Sequence, residues 1–261
     1  LAEAAAWMIA EALDHPVEVQ DHHTMTKDSS AGSARLVIGF EEAVDDETTT
    51  VITQSLASLG IENPELETLQ SDDETWREGW KSFFKGISLP NGIHVHPPWE
   101  TPPSNCLSVA IDPGMAFGTG THATTRGVLK MLSDCLAGVP ALTVLDVGCG
   151  SGILSIAAAR LGHRALGVEI DGDALVNARE NVSRNEVETE VQLQEGSAAQ
   201  VSGKFPLVVA NILAHILIEI ASDLMNRCGG ELILSGLLES QESAVLEAFP
   251  AMELLERRLE G

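Results

Sequence analysis

At 261 residues, 44% hydrophobic and 21% charged, the chain has the composition of a globular protein with room for one large or two modest domains. Its 15 basic residues face 39 acidic ones, a net charge of −24 that disfavours sequence-independent binding to a phosphate backbone. That surface suits either a basic partner or a salt-adapted solubility role, and charge alone leaves both open.

Four cysteines without a C-x-x-C pairing suggest neither a zinc site nor a redox motif, and fit a reducing compartment. With no signal-peptide pattern and no apolar run of about 18 residues, a cytoplasmic protein without a membrane segment is expected. The chain starts at Leu1 without Met, so a short preceding stretch is expected.

The first segment reads α-β-β-α-β. Residues 2–13 are Ala-rich, with Trp7, Met8 and Leu13 for one helix face; Val17–Gln20 and residues 35–40 read as strands. Residues 45–59 open with acids and Thr and end at Gly60, a capped helix, and residues 66–69 are the returning strand. With a strand before Leu1, this makes a ferredoxin-like split βαβ domain over residues 1–72. His22-His23 lacks further ligands nearby and reads as a solvated loop.

Residues 73–105 differ in character. Trp76, Trp80, Phe83 and Phe84 fall at helical spacing, a recognition surface or, preferably, a connector helix pinning two domains. Thr101-Pro102-Pro103-Ser104 reads as a stiff linker.

From residue 106 to 261 strands alternate with helices, implying a doubly wound, mostly parallel sheet of Rossmann-like type. Strands are expected over residues 108–111, 143–147, 165–168, 190–194, 205–210 and 231–235. Helices are expected over residues 123–136, 153–161, 173–185, 216–225 and 240–249. A final antiparallel hairpin usual for such sheets is expected beyond Gly261.

The central stretch is Thr143-Val-Leu-Asp-Val-Gly-Cys-Gly-Ser-Gly152. A buried strand runs into Gly148, Gly150 and Gly152, then into a helix whose N-terminal amides face a ligand. The spacing is G-x-G-x-G, which disfavours a nicotinamide dehydrogenase. Asp146 at the strand end is placed to accept from loop amides or a ligand ammonium. Glu169, about 20 residues past the first glycine, is placed to take ribose hydroxyls. A nucleoside carrying an amino acid satisfies both, namely S-adenosylmethionine (SAM). Asn211, after four apolar residues at a strand tip, offers a donor and an acceptor to an amine or to the methionine end of SAM. His122 either relays a proton or braces its loop. No metal is required for methyl transfer from a sulfonium.

The motifs DPGMAFGTGTHATT (residues 112–125), LDVGCGSGIL (145–154), GVEID (167–171), VVANILA (208–214) and LILSGLL (232–238) carry a resemblance. In order and interval they resemble the bacterial methyltransferases that modify ribosomal protein eleven of the large subunit. The resemblance implies a cytoplasmic enzyme that trimethylates lysine ε-amines and the N-terminal α-amine of that basic protein; a monomer is expected and, from the acidic charge, no direct contact with nucleic acid. It implies that the small N-terminal domain holds the substrate. It places SAM contacts on Thr125, Gly148, Glu169 and Asn211, with Phe117, Gly118, Thr119, Gly120 and Thr121 closing over the cofactor. Glu169 stands where Asp is usual, and Ala123 where Pro is common. Methylation of another protein or small amine, and SAM binding without turnover, are the alternatives.

Overall fold

The computed structural model describes residues 5, 8–9, 13, 17–20, 35–38, 44–61, 64–67, 86–112 and 123–259. Contacts divide the chain into two units, Leu1–Trp80 and Lys81–Gly261.

In the first unit, β1 (Val17–Gln20) and β2 (Arg35–Ile38) pair antiparallel, Val17 opposite Ile38. Helix α1 (Asp46–Ser58) starts where the Asp45 carboxylate accepts from the Thr48 amide at 2.8 Å, a side-chain cap for an otherwise orphaned donor. Ala5, Ile9, Ile52 and Leu56 form the buried centre, with Leu13, Leu36, Ile38, Leu59 and Ile61 against it. Ala5, Met8, Ile9 and Leu13 are helical, as the Ala-rich pattern predicts. Of the strand expected over residues 66–69, Leu66 and Glu67 are irregular and Leu66 is exposed. The remainder lies outside the described residues, as do His22, His23, Trp76, Trp80, Phe83 and Phe84.

The second unit holds two sheets. Its larger one has the order β10-β9-β6-β7-β8, every neighbouring pair parallel. The strands are β6 (Thr143–Val147), β7 (Arg164–Glu169), β8 (Val191–Glu195), β9 (Phe205–Asn211) and β10 (Cys228–Ser235). Helices α2 (Ala123–Leu136), α3 (Ile153–Arg160) and α4 (Gly172–Arg184) cover one face, and α5 (Ala214–Glu219), α6 (Ala221–Arg227) and α7 (Glu242–Ala248) the other.

Alternation along the strands builds both cores at once. Val144, Leu207, Val209 and Ile233 meet Leu129, Leu132 and Ile156, while Leu145, Val208 and Ala210 meet Leu217, Leu224 and Val245. Leu145 is fully buried on the central strand. Leu145→Ala is expected to lower unfolding free energy by about 2–5 kcal/mol in urea titration, the cost of lost burial plus a cavity.

Three departures from the expected elements have visible causes. The helix expected over residues 216–225 is two helices broken at Ile220, whose ψ of 11° leaves the helical region. Ala214, Leu217, Ala221 and Leu224 stay buried across the break. Strand β10 begins at Cys228, with a register shift before Glu231 at Gly229-Gly230; a Cβ at Gly230 would strike the Pro206 carbonyl. Helix α7 is preceded by a 3₁₀ turn at Glu239–Gln241.

Part of the segment read as a linker is instead sheet. Strands β3 (Ile87–Ser88) and β4 (Ile93–His96) pair antiparallel, and β4 pairs parallel with β5 (Leu107–Ala110). Residues 101–104 belong to the β4–β5 connection. All four residues of β4 are buried. Ile93 and Val95 join the apolar core, whereas His94 and His96 stack at 5.6 Å on the opposite side. The His94 Nδ1 meets the Ser88 hydroxyl at 2.8 Å, and the His96 Nε2 meets the Ser108 hydroxyl at 2.7 Å. Among the described residues no helix is long and apolar enough to cross a membrane.

Candidate functional site

Strand β6 sits mid-sheet, and its carboxyl end opens into the glycine turn. Gly148, Gly150 and Gly152 have φ of +69°, +50° and +79°, so the left-handed backbone is used at all three positions. At Gly148 a Cβ would also collide with the Ile212 side chain. The Gly148 and Cys149 amides both donate to the Val168 carbonyl, at 2.9 and 3.1 Å, which hooks the turn onto β7. Gly152 is the N-cap of α3 and has no side chain to cap it.

Glu169 ends β7. Its Oε2 accepts from the Gly150 amide at 2.9 Å, and its Oε1 from the Ile170 and Asp171 amides at 2.8 and 3.2 Å. The longer acid therefore reaches across to the loop amide, one of the two partners expected for Asp146, the other being a ligand ammonium. An ionised carboxylate still has lone pairs for a hydroxyl beyond these bonds.

Asp146 is fully buried. Its Oδ2 accepts from the Ser155 amide at 3.0 Å and the Ser155 hydroxyl at 2.7 Å. Its Oδ1 has no partner among the described residues. Burial pushes the carboxyl up to about 7 against the opposing Ser155 bonds, with Glu169 adding repulsion. Burial, then Asp146 and Glu169, raise the Cys149 thiol, so it stays protonated and inert.

A second pair lies on the neighbouring strand. Val147 is opposite Ala210 in the β6–β9 register, which brings Asn211 beside Gly148. The Asn211 Nδ2 donates to the Thr125 hydroxyl on α2 at 3.4 Å, and its buried Oδ1 has no partner among the described residues. Ser235 at the end of β10 donates to the Thr124 carbonyl at 3.2 Å and holds the same helix start. The fold thus gathers Thr125, Asp146, Gly148, Gly150, Gly152, Glu169 and Asn211 at the carboxyl ends of three adjacent strands and the start of α2. Phe117, Gly118, Thr119, Gly120, Thr121 and His122 lie outside the described residues. No group of three His, Cys, Asp or Glu side chains that could hold a metal occurs among the described residues.

The family model described as ribosomal protein L11 methyltransferase (PrmA) matches residues 1–257. The chain belongs to this family. It is 41% identical over 204 residues to the ribosomal protein L11 methyltransferase of Pelobacter propionicus, covering 75% of this chain and 65% of that protein. It is 35% identical over 244 residues to the one from Sorangium cellulosum, covering 90% of this chain and 75% of that protein. A crystal structure of a ribosomal protein L11 methylase from Lactobacillus delbrueckii subsp. bulgaricus is similar with a TM-score of 0.60 at 36% identity, covering 68% of this chain and 95% of that one. The chain thus spans just under two thirds of the length of the first relative. The Rossmann-like methyltransferase domain is shared with the L11 methylase structure.

In this L11 methyltransferase relative, three residues that support the site escape the motif reading. Ser155 bonds the Asp146 carboxylate, Asn181 reaches from α4 to the turn at Ser151, and Asn185 at the C-cap of α4 reaches β5 at Ala110. For the asparagines a signal existed: Asn177, Asn181 and Asn185 recur at four-residue intervals, one face of a helix.

Proposed function

We propose that this member of the ribosomal protein L11 methyltransferase family is a SAM-dependent N-methyltransferase. It trimethylates lysine ε-amines and the N-terminal α-amine of ribosomal protein L11, in the cytoplasm, as a monomer that contacts no nucleic acid directly. The observation that carries this reading is a pair of buried, unpartnered acceptors, Asp146 Oδ1 and Asn211 Oδ1, on either side of a turn with three left-handed glycines. Acceptors left unbonded in a protein interior are costly unless a ligand supplies donors. An ammonium and an amine are the donors that SAM and its acceptor bring.

In this reading Asp146 takes the ligand ammonium, the amides of the glycine turn line the ligand, and Glu169 takes the ribose hydroxyls. Phe117, Gly118, Thr119 and Thr121 cover it, and Thr125 with Asn211 faces the reacting end. SAM supplies an electrophilic methyl on a sulfonium. The protein's work is to hold a neutral amine in line with that methyl and to exclude water, and positioning of this kind lowers barriers by about 7–11 kcal/mol in favourable cases. Asn211 Oδ1 accepts one amine hydrogen and so aims the lone pair. A desolvated amine loses its proton more readily than one in water, and His122 is the group proposed to carry that proton away. The acidic surface draws in a basic protein substrate. We assign substrate recognition to residues 1–72 and methyl transfer to the unit Lys81–Gly261, whose small sheet takes up part of the stretch read as a linker.

Incubating purified ribosomal protein L11 with enzyme and SAM is expected to raise its mass in methyl steps, localised by fragmentation to lysines and the N-terminus. An enzyme that binds SAM yet leaves the mass unchanged would remove the substrate assignment and point to another amine.

A further inference from the structure

Asn181 within α4 and Asn185 at its C-cap both turn their carboxamides onto backbone outside the helix, although a carboxamide is a poor helix former. Asn185 closes a two-way bond with Ala110 on β5: its Nδ2 donates to the Ala110 carbonyl at 2.6 Å and its Oδ1 accepts from the Ala110 amide at 2.9 Å. One turn earlier, Asn181 Oδ1 accepts from the Asp112 amide at 2.9 Å. Four helical residues rise about 6 Å and two extended residues about 6.6 Å, so the helix face matches alternate backbone groups leaving β5. Side-chain amides here replace a neighbouring strand.

The Asn181 Nδ2 makes two more bonds, one to the Asn177 Oδ1 within the helix at 3.1 Å and one that leaves the helix. The second runs to the Ser151 carbonyl, inside the glycine turn, at 3.0 Å. The carboxamide is fully buried. Arg184 braces the arrangement, donating to Asn181 Oδ1 at 2.7 Å and meeting the Asp112 carboxylate at 3.3 Å. A single side chain therefore bonds the turn at Ser151 and the backbone at Asp112, the residue that opens the DPGMAFGTGTH motif.

We infer that Asn181 is a positioning residue that sets the spacing between the glycine turn at Ser151 and the backbone leaving β5 at Asp112; its link to SAM rests on the function proposed above. The coupling needs both ends of a carboxamide. A carboxylate of the same shape keeps the acceptor toward Asp112 and loses the donor toward Ser151. Asn185, whose bonds stop at Ala110 and its own helix, does not share the role.

Amide hydrogen exchange on the ligand-free protein separates the two. Asn181→Asp is expected to leave the Asp112 amide protected and to speed exchange at Gly152; Asn185→Ala is expected to speed Ala110 and leave Gly152 as it was. By calorimetry Asn181→Asp weakens SAM about tenfold, while Asn185→Ala stays within about twofold. In turnover the Asn181→Asp deficit falls on KM for SAM rather than on kcat. Asn181→Ser, smaller but still a donor and acceptor, gives an intermediate loss and serves if the aspartate variant does not fold. Unchanged Gly152 exchange in both Asn181 variants, or equal SAM loss in Asn185→Ala, overturns the inference. Should the wild-type protein bind no SAM, the proposed function fails, while the exchange pattern still decides the coupling.

Discussion

Gly150→Val abolishes SAM binding, with calorimetric affinity falling by at least about 100-fold while the protein remains folded. Two effects add. Gly150 has φ of +50°, where a β-branched residue is strained by about 1–3 kcal/mol. Its amide is also the group that holds Glu169 Oε2 at 2.9 Å, so a shift to relieve strain releases the acid from the turn. The valine side chain then occupies space that the ligand needs against the backbone. The strain is a fraction of ordinary domain stability, so circular dichroism should still show a cooperative melt at a lower temperature. An affinity equal to wild type would move the ligand away from this turn altogether.

The second large effect is a pH dependence centred on Asp146. In the unfolded chain its carboxyl titrates at 3.8, and in the fold at about 7. Between those values the folded state keeps a proton that the unfolded state has released. Stability therefore falls as pH rises from about 4 to 7, by about 4 kcal/mol from this group, and levels off above. Ligand binding runs the other way. If the ionised carboxylate takes the SAM ammonium, affinity climbs about tenfold per pH unit up to about 7 and then flattens. Asp146→Asn is expected to flatten both curves, with SAM affinity at pH 8 at least about tenfold below wild type. Urea titrations and calorimetry at pH 5, 6, 7 and 8 would show it. A wild-type SAM affinity that does not vary over this range is incompatible with a carboxylate–ammonium contact at Asp146.

The parts of the fold legible in the sequence are those whose pattern has one solution. The run into Gly148 has a period and a stop that only a buried strand and a left-handed turn satisfy, and β6, the turn and α3 follow. The parallel direction of β6 to β10, though not their order in the sheet, follows from the strand–helix alternation in the same way. The break at Ile220 was not legible, because residues 216–225 contain no Gly or Pro and the buried apolar spacing runs across it unbroken. The small sheet was missed for a different reason. Strand β3 is two residues long, the alternation of β4 covers only four residues between Gly92 and Pro97, and the proline-rich stretch at 101–104 reads as linker when taken locally. Of the site, Glu169 and Asp146 were found, but the bond from the Gly150 amide to Glu169 was not. The extra methylene of Glu169 decides which acid reaches the Gly150 amide, and reach is invisible in one dimension. Asn181 and Asn185 went unnoticed because an asparagine's worth lies in the backbone it meets, and that backbone is some 70 residues away in the chain.

The doubly sided burial of β4 has a consequence for how this part of the molecule finds its alignment. Ile93 and Val95 face oil, and His94 and His96 face hydroxyls on the two strands to either side. A one-residue slip would exchange the faces, stranding two imidazoles in the apolar layer and leaving two serines without bonds. Such a mispairing is penalised on both surfaces simultaneously. Four residues, too few for hydrophobicity to index by itself, thereby carry an internal key that admits one pairing.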